Sequence, residues 1–301
     1  MHALPNTRKD GSVSDRELDS HTNPAGDLSE RRRLSFGSVA EQYDRFRPAY
    51  PEALVDDALA YAGVSSRPAG TGMARAVEVG AGTGIATRQF AARGLQITAV
   101  EPDPLMAELN RSRLDGLAAN VEVVISDLEH AELDPGSFQL LYSATAWHWV
   151  SREVRYQLAN RALVRGGGLA VFWNWPAWER VTIRQELDAA YRRAGAEQLI
   201  KQGSVMAPGT PMPREERNPD IWQTEIDGIP GFEDAQTRWY EWERTYSSAD
   251  YVGLLGTHSD HNLQEAELKQ RLFAEVAAAV DAAGGSFELP FRTLLCLARA
   301  C

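Results

Sequence analysis

The chain has 301 residues, 44% hydrophobic and 24% charged, enough for a substantial core built as one large domain or as a core with a cap. Its formal net charge of −11 argues against a partner that must be held by its phosphate backbone, because that needs a basic face. No apolar run has the length of a membrane span, Met1–Ser20 is too polar for a secretory segment, and Cys296 and Cys301 would face opposite sides of a strand, so no membrane, no disulfide and a reducing, cytoplasmic location are expected.

In chain order, residues 1–34 are rich in Ser, Asp, Arg and Asn, and read as a disordered or loosely attached tail closed by the solvated run Arg31-Arg32-Arg33. Pro51–Ala62 reads as an amphipathic helix with Pro51 at its first position. Strands are expected at Ala74–Val79, Gln96–Val100, Val121–Ile125, Phe138–Ser143 and Gly168–Trp175. Helices alternate with them at Gly84–Arg93, Asp103–Leu114 (Asp103 as cap, Pro104 next) and Ser151–Leu163, the last stopped by Gly166-Gly167-Gly168. That alternation predicts an α/β fold with a doubly wound parallel sheet over residues 35–175, and a ligand beyond the carboxyl ends of its strands.

After Trp175 the rhythm breaks. Ala177–Ala194 looks helical, Glu197–Gly231 irregular, Phe232–Tyr246 a long aromatic strand, Ser248–Gly256 and Gln264–Ala283 helical, and Phe291–Ala298 a final strand. Residues 176–230 and 247–285 are expected to form a helical lid that carries substrate segments, and 232–246 with 286–301 to complete the sheet.

The most informative run is Val77-Glu78-Val79-Gly80-Ala81-Gly82-Thr83-Gly84. A dinucleotide turn has the spacing G-x-G-x-x-G/A, yet the sixth position from Gly80 is Ile85 and from Gly82 is Thr87. Alternating glycines let the backbone pass close to a ligand, and the acid ahead of them suits an amine and would repel a pyrophosphate. An adenosine bearing an amino-acid tail fits; NAD fits poorly. Glu101, at the tip of the second strand, is placed to accept from both ribose hydroxyls.

These landmarks resemble the class I S-adenosylmethionine (SAM) dependent methyltransferases. The segment Phe36-Gly37-Ser38-Val39-Ala40-Glu41-Gln42-Tyr43-Asp44-Arg45-Phe46-Arg47-Pro48-Ala49-Tyr50-Pro51 resembles the opening of a small-molecule subgroup of that family. The resemblance runs from about Ser35 onward. It implies a seven-stranded, mostly parallel sheet whose last strand enters antiparallel between the fifth and sixth. It also implies SAM as cofactor and S-adenosylhomocysteine as product, on Glu78 (amino group), Gly80, Ala81, Gly82, Gly84, Glu101 with Pro102, Asp127 (adenine amine, with Glu129 as rival), Leu128 (adenine face) and Ala144. Tyr43 would close over the cofactor and Arg47 would reach its carboxylate. The family usually has Asp where this chain has Gln139.

Trp147-His148-Trp149 follows the fourth strand. Its tryptophans can flank a sulfonium and substrate, and His148 is the candidate base. His258 and His261, in Thr257-His258-Ser259-Asp260-His261, are read as lid residues facing the substrate; magnesium prefers oxygen ligands, so no metal is expected there. The expected function is methyl transfer to O, N or C of a small, partly apolar molecule by in-line displacement. Self-association stays open. The alternatives are a cyclase or isomerase that keeps SAM as a passive charge, a silent SAM-binding scaffold, and a nicotinamide-dependent oxidoreductase.

Overall fold

The computed structural model describes residues 39–64, 72–210 and 219–301; the expected tail and Phe36–Ser38 lie outside them. The strands are β1 (Arg75–Val79), β2 (Gln96–Glu101), β3 (Val121–Ile125), β4 (Phe138–Ala144), β5 (Leu163–Pro176), β6 (Phe232–Ser247) and β7 (Ser286–Ala300). They form one seven-stranded sheet in the order β3-β2-β1-β4-β5-β7-β6. β1 to β5 pair in parallel, and β7 lies antiparallel between β5 and β6. Both faces of the parallel part are covered, which is why Ala76, Val77, Val79, Leu140, Leu141 and Tyr142 form nearly unbroken apolar runs.

One face packs Val77, Leu141, Leu169 and Val171 against the helix Arg155–Ala162 and against Trp222 and Ile226 of the helix Pro219–Asp227. Glu225 ties those two helices together, accepting from Arg155 Nη2 (2.6 Å) and the Tyr156 hydroxyl (2.8 Å). The other face packs Ala76, Ile97, Tyr142 and Phe172 against the helices Glu52–Tyr61 and Ile85–Ala91. A further apolar cluster joins the helices Arg184–Ala194, Ser248–Gly256 and Ala266–Ala282 around Tyr246, Phe287 and Phe291 of β6 and β7.

Several expectations shift. Pro51 is the cap residue of its helix, not its first helical position. Glu197–Gly231, read as irregular, contains the helices Glu197–Lys201 and Pro219–Asp227. The glycine run 166–168 does not stop a helix; it lies inside β5, which starts at Leu163. A Cβ on Gly167 would sit 2.9 Å from the Val164 carbonyl, and one on Gly168 would sit 3.0 Å from Ala62, so close approach selects glycine there. Gln139 finds its use between the starts of β1 and β4, where its Oε1 accepts the Arg75 N–H at 2.8 Å. Cys296 is buried and Cys301 exposed. Among the described residues, no helix is long and apolar enough to cross a membrane.

Candidate active site

The order of connections reverses between β1 and β4, and at the carboxyl ends of these strands lies a cavity of about 430 Å³ with a smaller chamber beside it. The glycine turn forms its floor. Gly80, Gly82 and Gly84 have φ of +70°, +56° and +85°. Their surroundings differ. A Cβ on Gly80 would collide with Ala146, and one on Gly84 with the Asn110 side chain, whereas nothing lies within 4 Å of one on Gly82. Gly84 is therefore held to glycine by helix packing, and it lines neither chamber. Gly82 faces open cavity.

Glu101 holds that turn in place. Its Oε2 accepts the Gly82 N–H (2.8 Å) and its Oε1 the Asp103 N–H (2.9 Å). A carboxylate oxygen accepts more than one bond, so acceptor capacity remains for a diol. Asp103 in turn caps the helix Pro104–Ser112, accepting from the N–H groups of Leu105 and Met106. Glu101, Pro102, Asp127 and Leu128 line the same side of the main cavity. Asp127 also holds His130 Nδ1 at 2.6 Å, and its rival Glu129 accepts the Ser151 N–H at 2.9 Å.

Glu78 is buried at the back of the smaller chamber, with Ala81 beside it. Its Oε2 accepts the hydroxyls of Thr87 (2.5 Å) and Tyr142 (3.0 Å). Burial, which those two bonds only partly offset, raises its carboxyl to about 8, and nearby Glu101 pushes the same way. Arg47 and Tyr43 border both chambers. The Arg47 guanidinium lies 4.7 Å from the Tyr43 ring centroid and binds Thr257 through Nε to Oγ1 (2.8 Å) and Nη2 to the carbonyl (2.9 Å).

At the opposite wall Ala144, Thr145 and Ala146 leave β4. Thr145 has φ +58°, a strained value for a β-branched residue, and is held there by its N–H to Phe172 O (2.8 Å) and by Tyr50 OH (3.0 Å). The 3₁₀ turn Trp147–Trp149 then splits its side chains. His148 and Trp149 line the cavity, but Trp147 is fully buried under Arg155 and edge-on to Tyr156, which corrects its expected substrate role. His148 Nδ1 accepts from Trp173 Nε1 at 3.3 Å. An indole nitrogen only donates, so a neutral His148 carries its proton on Nε2. Surrounding protein, with some repulsion from Arg155, lowers its pKa to about 4. At neutral pH His148 is therefore uncharged, can donate through Nε2, and has its Nδ1 lone pair engaged by Trp173.

His258 lines both chambers, whereas His261 is fully buried between Tyr191 OH (Nε2, 2.6 Å) and Asp260 Oδ1 (Nδ1, 2.8 Å). His261 anchors one helix to another and does not reach a ligand, a second correction. Burial and the neighbouring Arg47 hold His258 well below the ordinary histidine range. Trp173, Asn174, Trp175, Val205 and Asp260 also wall the cavity. The first three escaped the sequence reading, although they sit at the carboxyl end of a predicted strand, where a ligand is expected. Among the described residues no group of His, Cys, Asp and Glu is arranged to hold a metal.

Comparison with known proteins agrees with this geometry. The family described as "Methyltransferase domain" matches residues 76–167, which carry β1 to β4 and the glycine turn. The chain is 36% identical over 141 residues to an uncharacterized methyltransferase of Mycobacterium tuberculosis, covering 47% of this chain and 52% of the relative. A Dictyostelium discoideum protein provisionally named a methyltransferase is 31% identical over 140 residues, covering 46% of this chain and 48% of the relative. The chain thus spans about half the length of the curated relatives it matches. In fold it is similar to a solved protein of Anaeromyxobacter dehalogenans provisionally described as a type II methyltransferase. That likeness has a TM-score of 0.58 at 20% identity and covers 84% of this chain and 98% of the other. Strand order and the Gly82 turn with its Glu101 clasp agree with these matches: residues 76–167 are similar to a methyltransferase domain, and the described residues share the fold of a solved protein of that description.

Proposed function

We propose that the protein is a methyltransferase that moves a methyl group from SAM to a small molecule bound between the carboxyl ends of β4 and β5 and the segments 205 and 258–260. The observation that carries this reading is the open space in front of Gly82, beside the Glu101 carboxylate and continuous with an aromatic-walled chamber. A bound SAM would supply an electrophilic methyl group on a cationic sulfur. The chain's residues do the rest. Gly82 permits close approach, Glu101 and Asp127 accept from ribose and adenine, Leu128 packs on the ring, and Glu78 and Arg47 face the two charged ends of the amino-acid tail. The aromatic walls hold the acceptor in line and exclude water, and alignment of this kind is a large part of what such a site must provide.

Titration calorimetry of the full chain is expected to show binding of SAM and S-adenosylhomocysteine but not of NADH. Mass analysis of a turned-over substrate should then show one methyl group in place of hydrogen. Binding of NADH alone would sink the reading, and a product of unchanged mass would favour a cyclase or isomerase.

His148 gives a separate expectation. Because its pKa lies near 4 and its Nδ1 is already engaged, His148→Gln, which keeps a donor, should retain most of the turnover lost in His148→Ala. A rate that rises with pH through the ordinary histidine range in the native chain, and flattens in His148→Gln, would restore it as a base.

A further inference from the structure

The acceptor half of the cavity is unbalanced in its hydrogen-bonding groups. Its carboxylates already hold partners: Glu129 accepts the Ser151 N–H at 2.9 Å, and Asp260 Oδ1 holds the His261 N–H at 2.9 Å and Nδ1 at 2.8 Å. Three of its donors retain an N–H. Trp175 Nε1 is buried without an acceptor among the described residues, which is costly unless a ligand supplies one. His148 presents Nε2–H, because the Trp173 indole fixes its tautomer.

Asn174 is oriented by a one-way chain. Trp242 Nε1 donates to Thr293 Oγ1 (2.8 Å), the threonine hydroxyl donates to Asn174 Oδ1 (2.5 Å), and Asn174 Nδ2 donates to Ala49 O (3.1 Å). The Ala49 carbonyl can only accept, so the amide nitrogen must face it, and that fixes the amide orientation. The second Nδ2 hydrogen is left on a residue that lines both chambers.

Resting on the methyltransferase reading, we infer that the acceptor is a planar, largely apolar molecule carrying a carboxylate, bound by the N–H groups of Trp175, Asn174 and His148, and that the carboxylate oxygen receives the methyl group. A carboxylate has two oxygens and about four lone-pair sites, enough to answer three donors from two elements. It is also ionised at neutral pH without help, so the step needs no base. In the step, the carboxylate oxygen bonds the methyl carbon as the carbon–sulfur electron pair returns to sulfur. No proton moves, and an anion and a cation become a neutral ester and a neutral thioether. The ester no longer receives charge-assisted hydrogen bonds, which favours its release. Trp149, Trp173 and Trp175 supply the flat apolar walls.

The test is calorimetry on the full chain loaded with S-adenosylhomocysteine, titrated at neutral pH with cinnamate, cinnamamide and cinnamylammonium, which share one ring system. Cinnamate should bind at least about tenfold tighter than either of the others. Trp175→Phe keeps the ring and removes the N–H, and should weaken cinnamate by about tenfold while leaving the S-adenosylhomocysteine affinity unchanged. Absence of cinnamate binding, equal or tighter binding of the amide or the ammonium, or unchanged cinnamate affinity in Trp175→Phe overturns the inference. The ordering of the three probes on the native chain needs no variant. If S-adenosylhomocysteine itself fails to bind, the cofactor reading falls, and the same series on the unloaded chain still decides the carboxylate.

Discussion

Gly82→Ala is expected to weaken S-adenosylhomocysteine binding by about a hundredfold or more while leaving a folded protein. The added methyl meets no protein atom within 4 Å, so it projects into the cavity where the cofactor would pass. Its backbone cost is that of a left-handed residue, about 1–2 kcal/mol, which should lower the melting temperature by only a few degrees in a chain of this size. Gly80→Ala is the contrast. There the methyl collides with Ala146, so the fold itself should suffer more. Calorimetry with thermal melts on both variants separates the effects. Native-like binding by Gly82→Ala would move the cofactor out of this chamber.

The second large effect concerns Glu78. Its folded-state pKa of about 8 lies above the usual 4.5, so the folded protein holds a proton there that the unfolded chain releases. The stability linked to that proton is full below about 4.5 and is lost as pH rises through about 8. Each pH unit between those limits corresponds to about 1.4 kcal/mol, so several kcal/mol are at stake. Glu78→Gln keeps an oxygen for the Thr87 and Tyr142 hydroxyls and cannot ionise. Thermal melts should therefore show the variant gaining on the native chain from pH 5 to pH 9, a window of about that width. Above about pH 8, where Glu78 is ionised and can pair with the SAM ammonium, the same change should weaken SAM. Parallel pH–stability curves for the two proteins would place the proton elsewhere.

Much of the sheet could be read from the sequence because parallel strands covered on both faces must be apolar throughout, and because Asp103-Pro104 and the alternating glycines carry local geometry of their own. Glycine also misled. At 167–168 it meets a packing need inside β5, and at Gly84 it meets one between helices, neither of which differs in spacing from a stop signal or a ligand turn. Short turns were the other blind spot. In Trp147–Trp149 and Ser259–Asn262, no periodicity separates a side chain that faces the cavity from one that faces the interior, so Trp147 and His261 were placed on the wrong side. The Trp242–Thr293–Asn174 chain was invisible for a different reason. It depends on a register among β5, β7 and β6 that only the folded sheet sets.

That register has a consequence for how the protein assembles. β5 and β6 do not pair with each other; each pairs with Ser286–Ala300, which lies between them. The Thr293 to Asn174 hydrogen bond alone joins positions 119 residues apart. Until that strand arrives, two unsatisfied edges rich in Trp, Tyr and Phe are open to other molecules, and pairings over such long stretches of chain are slow to form. The wall that would recognise the substrate is thus expected to be among the last parts of the molecule to take shape: in refolding, sheet content followed by far-UV circular dichroism should recover before ligand binding does.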